Sequence, residues 1–172
     1  PKMEQARLVN KEFFDIFERP FIFGSAWSKD DQDNKPYVVV ISKSINDRFF
    51  NGENSVGKEI FLDNKSYRIV GVTEDWNHHV KYYDVNNGAF NPAEALYIPF
   101  SIAPLEEIGT WGNMNGWKQE PRSSYKDLIV SERLWTQFWV QLNSAQEKEE
   151  YERFIMAYME DQKTRGRFQR EE

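Results

Sequence analysis

Tyr37-Val38-Val39-Val40-Ile41, followed at once by Ser42-Lys43-Ser44-Ile45-Asn46-Asp47-Arg48-Phe49-Phe50, decides how this chain is read. Five consecutive aromatic and β-branched residues mark a strand covered on both faces, because a half-exposed strand would alternate. Ser42 or Ser44 then offers a hydroxyl to the free N–H groups at a helix start, and Asn51-Gly52 suits a helix end. A buried strand feeding a short helix implies a sheet overlaid by helices.

Working outward, Met3 to Val9 alternates and predicts a short strand. Asn10 is placed to cap a helix through about Phe17, with Phe13, Phe14, Ile16 and Phe17 as its apolar set. Pro20 and Gly24 are expected to end regular structure, and Asp30 to Pro36 reads as a polar surface loop. On the other side, Ile60 to Leu62, the turn Asp63-Asn64-Lys65 and Tyr67 to Val72 predict a β-hairpin. Leu96-Tyr97-Ile98-Pro99-Phe100 reads as a further strand, and residues 74–93 as a long structured loop.

The second half is less regular. Gly109 to Ser124 shows little period, whereas Leu134 to Leu142 alternates cleanly and predicts a strand. Trp135 and Trp139 on that strand are expected to pack against the final helix. That helix is announced by the capping box Ser144-Ala145-Gln146-Glu147, and Tyr151, Phe154, Ile155, Tyr158 and Met159 recur on one face. Gly166 suits its C-terminal stop.

Composition narrows the function. The chain has 172 residues, 40% of them hydrophobic and 16% aromatic, which rules out disorder. A net charge of −6 repels a phosphate backbone, so nucleic acid is not an expected partner. With no cysteine there is neither a disulfide framework nor a thiol zinc site. No apolar run approaches the ~20 residues of a membrane span. The chain opens at Pro1 and reads as a segment excised from a longer protein.

Residues that could carry chemistry are few. His78-His79, with Asp75 and Asp84 nearby, is the metal candidate, yet adjacent side chains on an extended chain diverge, and a solvated loop is the better reading. No Gly-x-Ser-x-Gly elbow supports a nucleophile. Abundant carboxylates leave a glycoside hydrolase formally open without marking one pair. Gly52-Glu53-Asn54-Ser55-Val56-Gly57-Lys58 has phosphate-loop glycine spacing, but Glu59 replaces the required Ser or Thr and a strand follows. Neither a catalytic residue nor a cofactor is therefore expected. The remaining candidates are rings in irregular segments, Trp76, Tyr82, Tyr83, Trp111 and Trp117, as partner or ligand contacts, against the plainer reading that they plug loops onto the sheet.

Several short motifs recur here in a fixed order. They are Asn10-Lys11-Glu12-Phe13-Phe14, Val38-Val39-Val40-Ile41-Ser42, Arg48-Phe49-Phe50, Asn54-Ser55-Val56-Gly57-Lys58, Ile69-Val70-Gly71-Val72 and Tyr97-Ile98-Pro99-Phe100. Their succession resembles the periplasmic core domain of MacB-like (MacB/FtsX-type) ABC-transporter permeases, with Ser55 where that family usually has proline.

The resemblance implies an α+β fold: a porter-like mixed sheet with short helices, a smaller variable second lobe and a C-terminal amphipathic helix. Residues 1–172 would form a single periplasmic core domain. About 1–100 with 144–166 would form the porter-like lobe and about 101–143 the second lobe. It implies a non-catalytic periplasmic domain of an inner-membrane permease that contacts substrate or partner protein and relays ATP-driven motion. The implied partners are a cytoplasmic ATPase subunit, a second permease subunit in a homodimer or heterodimer, a periplasmic adaptor or substrate, and the membrane through flanking helices. The alternative is a secreted, aromatic-rich carbohydrate- or peptide-binding module.

Overall fold

A computed structural model describes residues 4–34, 36–110, 112, 114–116 and 118–168. In chain order its elements are β1 (Ala6–Val9), α1 (Glu12–Ile16), β2 (Phe21–Gly24), α2 (Lys29–Asn34), β3 (Val38–Ser42), α3 (Lys43–Phe50), β4 (Glu59–Leu62), β5 (Lys65–Thr73), β6 (Leu96–Pro99), α4 (Ile102–Glu106), α5 (Tyr125–Val130) and α6 (Ala145–Thr164). The chain divides into two compact units, Pro1–Gly109 and Thr110–Glu172, so α6 is grouped with the residues that precede it rather than with the sheet.

The first unit is built on one mixed sheet with strand order β1-β6-β3-β5-β2, and β4 forms a hairpin with β5. All five residues of β3 are buried, as an uninterrupted apolar strand requires. Its alternation sorts two cores. Val39 and Ile41 face a layer with Ile45 of α3, Ile69, Val72, Ile98 and Ile102 of α4. Val38 and Val40 face the other layer, with Phe14 of α1, Trp27 and Tyr97. The fold is therefore α+β, a mixed sheet carrying short helices on both faces.

Local chemistry explains the joints. Ser42 accepts a hydrogen bond from the Ile45 N–H and caps α3, and Asn51 closes the helix in a left-handed conformation. Asp63 and Asn64 both take positive φ, which matches the twist of the β4–β5 hairpin. In β5 the register skips Val70 against β3, and this bulge presses Gly71 onto β2. A Cβ at Gly71 would lie 2.5 Å from the Ser25 carbonyl oxygen and 2.6 Å from the Phe21 ring, so only glycine fits. The Gly-Lys loop is structural: buried Ser55 donates to Asn46 Oδ1 at 2.6 Å, Asn46 donates to the Glu53 carbonyl, and Gly57 N–H donates to Ile69.

Four expectations need correction. Asp30 to Pro36 is not wholly loop, because Lys29–Asn34 is helical. Ser28 Oγ accepts from the Asp31 N–H while Asp31 accepts from the Ser28 N–H, a reciprocal cap that Lys29–Asp33 and Asn34–Asp30 pairs extend. Regular structure does not stop between Pro20 and Gly24, since Phe21–Gly24 pairs antiparallel with β5. The first helix is shorter than expected: it starts at Glu12, and Asn10 serves through its backbone carbonyl instead of its side chain. Leu134 to Leu142 is not a strand; among the described residues its one regular pairing is an isolated bridge between Asn115 and Leu134. Alternation orients side chains, but a strand also needs a ladder.

In the second unit the described residues include no buried apolar side chain. Polar links tie it together: Lys118 pairs with Glu132 at 3.1 Å, the Glu132 N–H donates to the Glu120 carboxylate, and the Phe168 N–H donates to Glu132. Helix α6 has the expected Ser144 cap, although Glu147 reaches the Asn143 N–H rather than that of Ser144. Its apolar positions Phe154, Tyr158 and Met159 are exposed, as are Phe138 and Trp139 in the irregular segment before it.

Candidate functional site

Residues 74–95 run from the end of β5 to the start of β6 with a single turn of 3-10 helix at Val85–Asn87. This strap crosses the Phe14–Tyr97 face of the sheet, and three of the rings singled out in the sequence, Trp76, Tyr82 and Tyr83, meet there. Trp76 and Tyr83 stack with centroids 4.5 Å apart and planes 5° apart. Phe13 meets both edge-on and packs against Tyr97 at 5.4 Å, which ties the stack to β6. Phe17 contacts Trp76, Tyr82 and Tyr83. Offset and edge-to-face contacts of this kind add about 0.5–1.5 kcal/mol each beyond the area they bury.

Beneath the rings lies an ionic cluster. Arg7 of β1 donates to Glu94 at 2.9 Å and also to Asp84. Buried Lys81 pairs with Glu94, and the Tyr83 hydroxyl donates to the other Glu94 oxygen at 2.9 Å. Asn87 secures Asp84 from the neighbouring turn at 2.8 Å. Two cations thus meet two carboxylates, and each carboxylate has several donors, the condition under which buried charges are tolerated. Arg19, itself buried, lies over the Trp76 ring at 4.3 Å and donates to the Glu74 carbonyl.

These surroundings shift the protonation equilibria. Burial opposes the charged form of Arg7, but the hydrogen bonds and attraction of Glu94 and then Asp84 outweigh it and raise its pKa. Burial likewise opposes the Glu94 carboxylate, yet Arg7 and Lys81 hold its pKa below the usual range. Burial and Glu94 push Tyr83 up, burial pushes Tyr97 up, and burial lowers Arg19. His78 is lowered by burial first and by Lys81 second.

The expected contact residues are divided by the fold. Trp76 is half-buried, Tyr82 is 50% exposed, and Tyr83 is only 1% exposed with its hydroxyl committed to Glu94. Tyr83 therefore supports the strap from within. Trp111 and Trp117 lie outside the described residues. The metal candidates are dispersed: Asp75 accepts from the Ser44 N–H, Asp84 binds Arg7, His79 is exposed and His78 sits against the rings. Sequence reasoning missed Arg7, Arg19, Lys81 and Glu94, whose partners lie far along the chain. It also missed exposed Val80, Val85 and Phe90, which with Tyr82 give the strap an apolar outer side.

Residues 2–158 match the model of the MacB-like periplasmic core domain. The chain belongs to this family. It is an extracytoplasmic domain of a MacB-type ABC-transporter permease, on the periplasmic side, which displaces the alternative of a free-standing binding module. Among the described residues no helix is long and apolar enough to cross a membrane.

Relatives of the MacB-like domain are consistent in name. A pyoverdine export ATP-binding/permease protein of Pseudomonas aeruginosa is 26% identical over 101 residues, 59% of this chain and 14% of that protein. An ABC transporter permease of Bacillus subtilis, YvrN, is 25% identical over 99 residues, 58% of this chain and 23% of its own length. The macrolide export ATP-binding/permease protein MacB of Aggregatibacter actinomycetemcomitans is 28% identical over 67 residues, 39% of this chain and 10% of that protein. The matched part thus spans less than a quarter of each of these relatives. Among solved structures, the periplasmic region of MacB from Actinobacillus actinomycetemcomitans aligns with a TM-score of 0.44 at 24% identity, covering 62% of this chain and 42% of that one. The extracellular domain of YknZ from Gram-positive bacteria aligns with the same TM-score at 14% identity, covering 59% and 46%.

Proposed function

We propose that this MacB-like domain is non-catalytic, contacts a substrate or partner protein through the outer side of strap 74–95, and relays ATP-driven motion. One observation carries the reading: the strap presents Val80, Tyr82, Val85 and Phe90 outward while Arg7, Glu94 and the Trp76–Tyr83 stack pin its inner side to the sheet. A pinned apolar surface binds without first being ordered and transmits displacement to the sheet beneath. The half-buried Trp76 and exposed Tyr82 supply the rim of the contact; Trp111 and Trp117 are further contact candidates. In this reading a cytoplasmic ATPase domain or subunit hydrolyses ATP, the permease acts as a homodimer or heterodimer, and flanking membrane helices carry the domain. In the same reading the sheet of the first unit forms the body of the porter-like lobe.

The chain lacks cysteine, so one thiol introduced by Phe90→Cys is a clean attachment point within it. With a spin label there, distances to the same label in the second subunit of the parent permease are measured without nucleotide and with ATP trapped. A change between the two states supports the relay. Identical distance distributions in both states overturn it.

A further inference from the structure

We propose that His78 is a proton-sensitive latch of strap 74–95, holding the strap on the sheet when neutral and loosening it when protonated. This deepens the proposed docking function by supplying its regulation, and for that consequence it rests on the strap being the docking surface.

The position of the ring carries the inference. His78 meets Trp76 at 5.3 Å and Tyr83 at 5.6 Å, in both cases edge to ring, and so joins the stack that pins the strap. Both ring nitrogens are shielded from solvent and lack a well-formed hydrogen bond, with the Trp76 backbone as a weak acceptor. A neutral imidazole tolerates this; an imidazolium, with two donors and a charge, does not.

The surrounding charges point the same way. Arg19, from the turn after α1, and Lys81, from the strap, both disfavour a further cation, whereas Glu94 favours it. Glu94 is already engaged by Arg7 of β1, by Lys81 and by Tyr83. Asp84 is engaged by Arg7 and Asn87, Asp75 caps the start of α3, and Tyr97 of β6 is neutral. The rings give no alternative shelter to the charge. Trp76 and Tyr83 stack on each other, and Arg19 already lies over Trp76 while Arg7 and Lys81 lie over Tyr83. Protonation is therefore relieved by moving the imidazolium into water, and the strap moves with it. The lowered His78 pKa agrees with this direction.

The test is amide exchange of the intact 172-residue chain between pH 8 and 5, with rates corrected for intrinsic pH dependence. The reporters are the N–H groups of Lys81, Asp84 and Asn91, which are hydrogen-bonded to Ala89, Lys81 and Gly88 within the strap. As pH falls below the ordinary histidine value of about 6.5 their protection should fall, by up to about tenfold per pH unit for a one-proton linkage, and level off below the lowered midpoint of the closed strap, while amides of β3 keep theirs. His78→Phe should abolish the dependence, with His78→Gln as a second variant should the first not fold, and His79→Gln should leave it intact. Strap protection that is flat in the wild type, or that falls equally in the His78 variants, overturns the latch. So does a His78 ring proton titrating at or above the ordinary histidine value. None of these outcomes depends on a partner, so failure here is separable from failure of the Phe90 label experiment.

Discussion

Arg7 and Glu94, 87 positions apart in sequence, meet at 2.9 Å and hold the strap to the edge of the sheet. Each is engaged a second time, Arg7 by Asp84 and Glu94 by Lys81 and Tyr83. Removing Arg7 therefore takes a cation from two carboxylates at once and leaves Lys81 as the cation of the cluster against both. Arg7→Met should cost about 3–5 kcal/mol, read by chemical denaturation, because an uncompensated buried charge is left behind. Adding Glu94→Gln to that variant should recover part of the loss. If the double variant is less stable than the single one by the full cost of Glu94→Gln alone, the two residues are not coupled.

The same cluster sets an acid limit. The Glu94 pKa is depressed in the folded state, so the folded chain binds fewer protons there than the unfolded chain. Its contribution is fully present above about pH 4.3, the unfolded value, and is lost as pH falls through the folded value. Denaturation midpoints taken from pH 6 to 3 should drop below about pH 4.3, and Glu94→Gln should flatten that drop.

Trp76 and Tyr82 separate support from contact. Trp76 stacks on Tyr83 and carries Arg19, so Trp76→Ala should destabilise the first unit by about 3 kcal/mol. Tyr82 is 50% exposed, and Tyr82→Ala should change stability by less than about 1 kcal/mol. Thermal unfolding of both variants gives the comparison. Equal losses would mean that Tyr82 is a structural plug.

Gly71 offers a purely steric check. Gly71→Ala places a methyl against the Ser25 carbonyl and the Phe21 ring, so β2 must shift. The expected cost is about 1–3 kcal/mol. Phe21→Ala removes one of the two obstacles, and the alanine at 71 should cost less in that background. An unchanged cost would place the strain at the backbone oxygen alone.

How legible was this architecture beforehand? The strand Val38–Ser42, its capped helix, the β4–β5 hairpin and β6 all carry signals within a few residues of themselves: an apolar run, a serine hydroxyl, a turn pair. The Lys29–Asn34 helix was also signalled, by Ser28 and Asp31, but its polar composition masked the cap. Leu134 to Leu142 failed for the opposite reason, since its pattern was clear and its ladder is missing from the described residues. In the strap, Trp76 and the pair Tyr82-Tyr83 stood out as rings in an aperiodic segment. Nothing local distinguished Tyr83 as the buried member of that pair.

What the chain determined by itself was its class and kinship. Apolar runs, caps and turn pairs act over neighbouring residues, and their order from Asn10 to Phe100 already matched the MacB-like domain. What only the tertiary structure decided was the strap. Whether a ring is a plug or a contact, and whether a lysine is solvated or buried on a glutamate, depends on partners brought close by folding. Arg7, Lys81 and Glu94 are ordinary charges along the chain; burial together, where desolvation makes each need the others, turns them into the pin beneath an apolar surface.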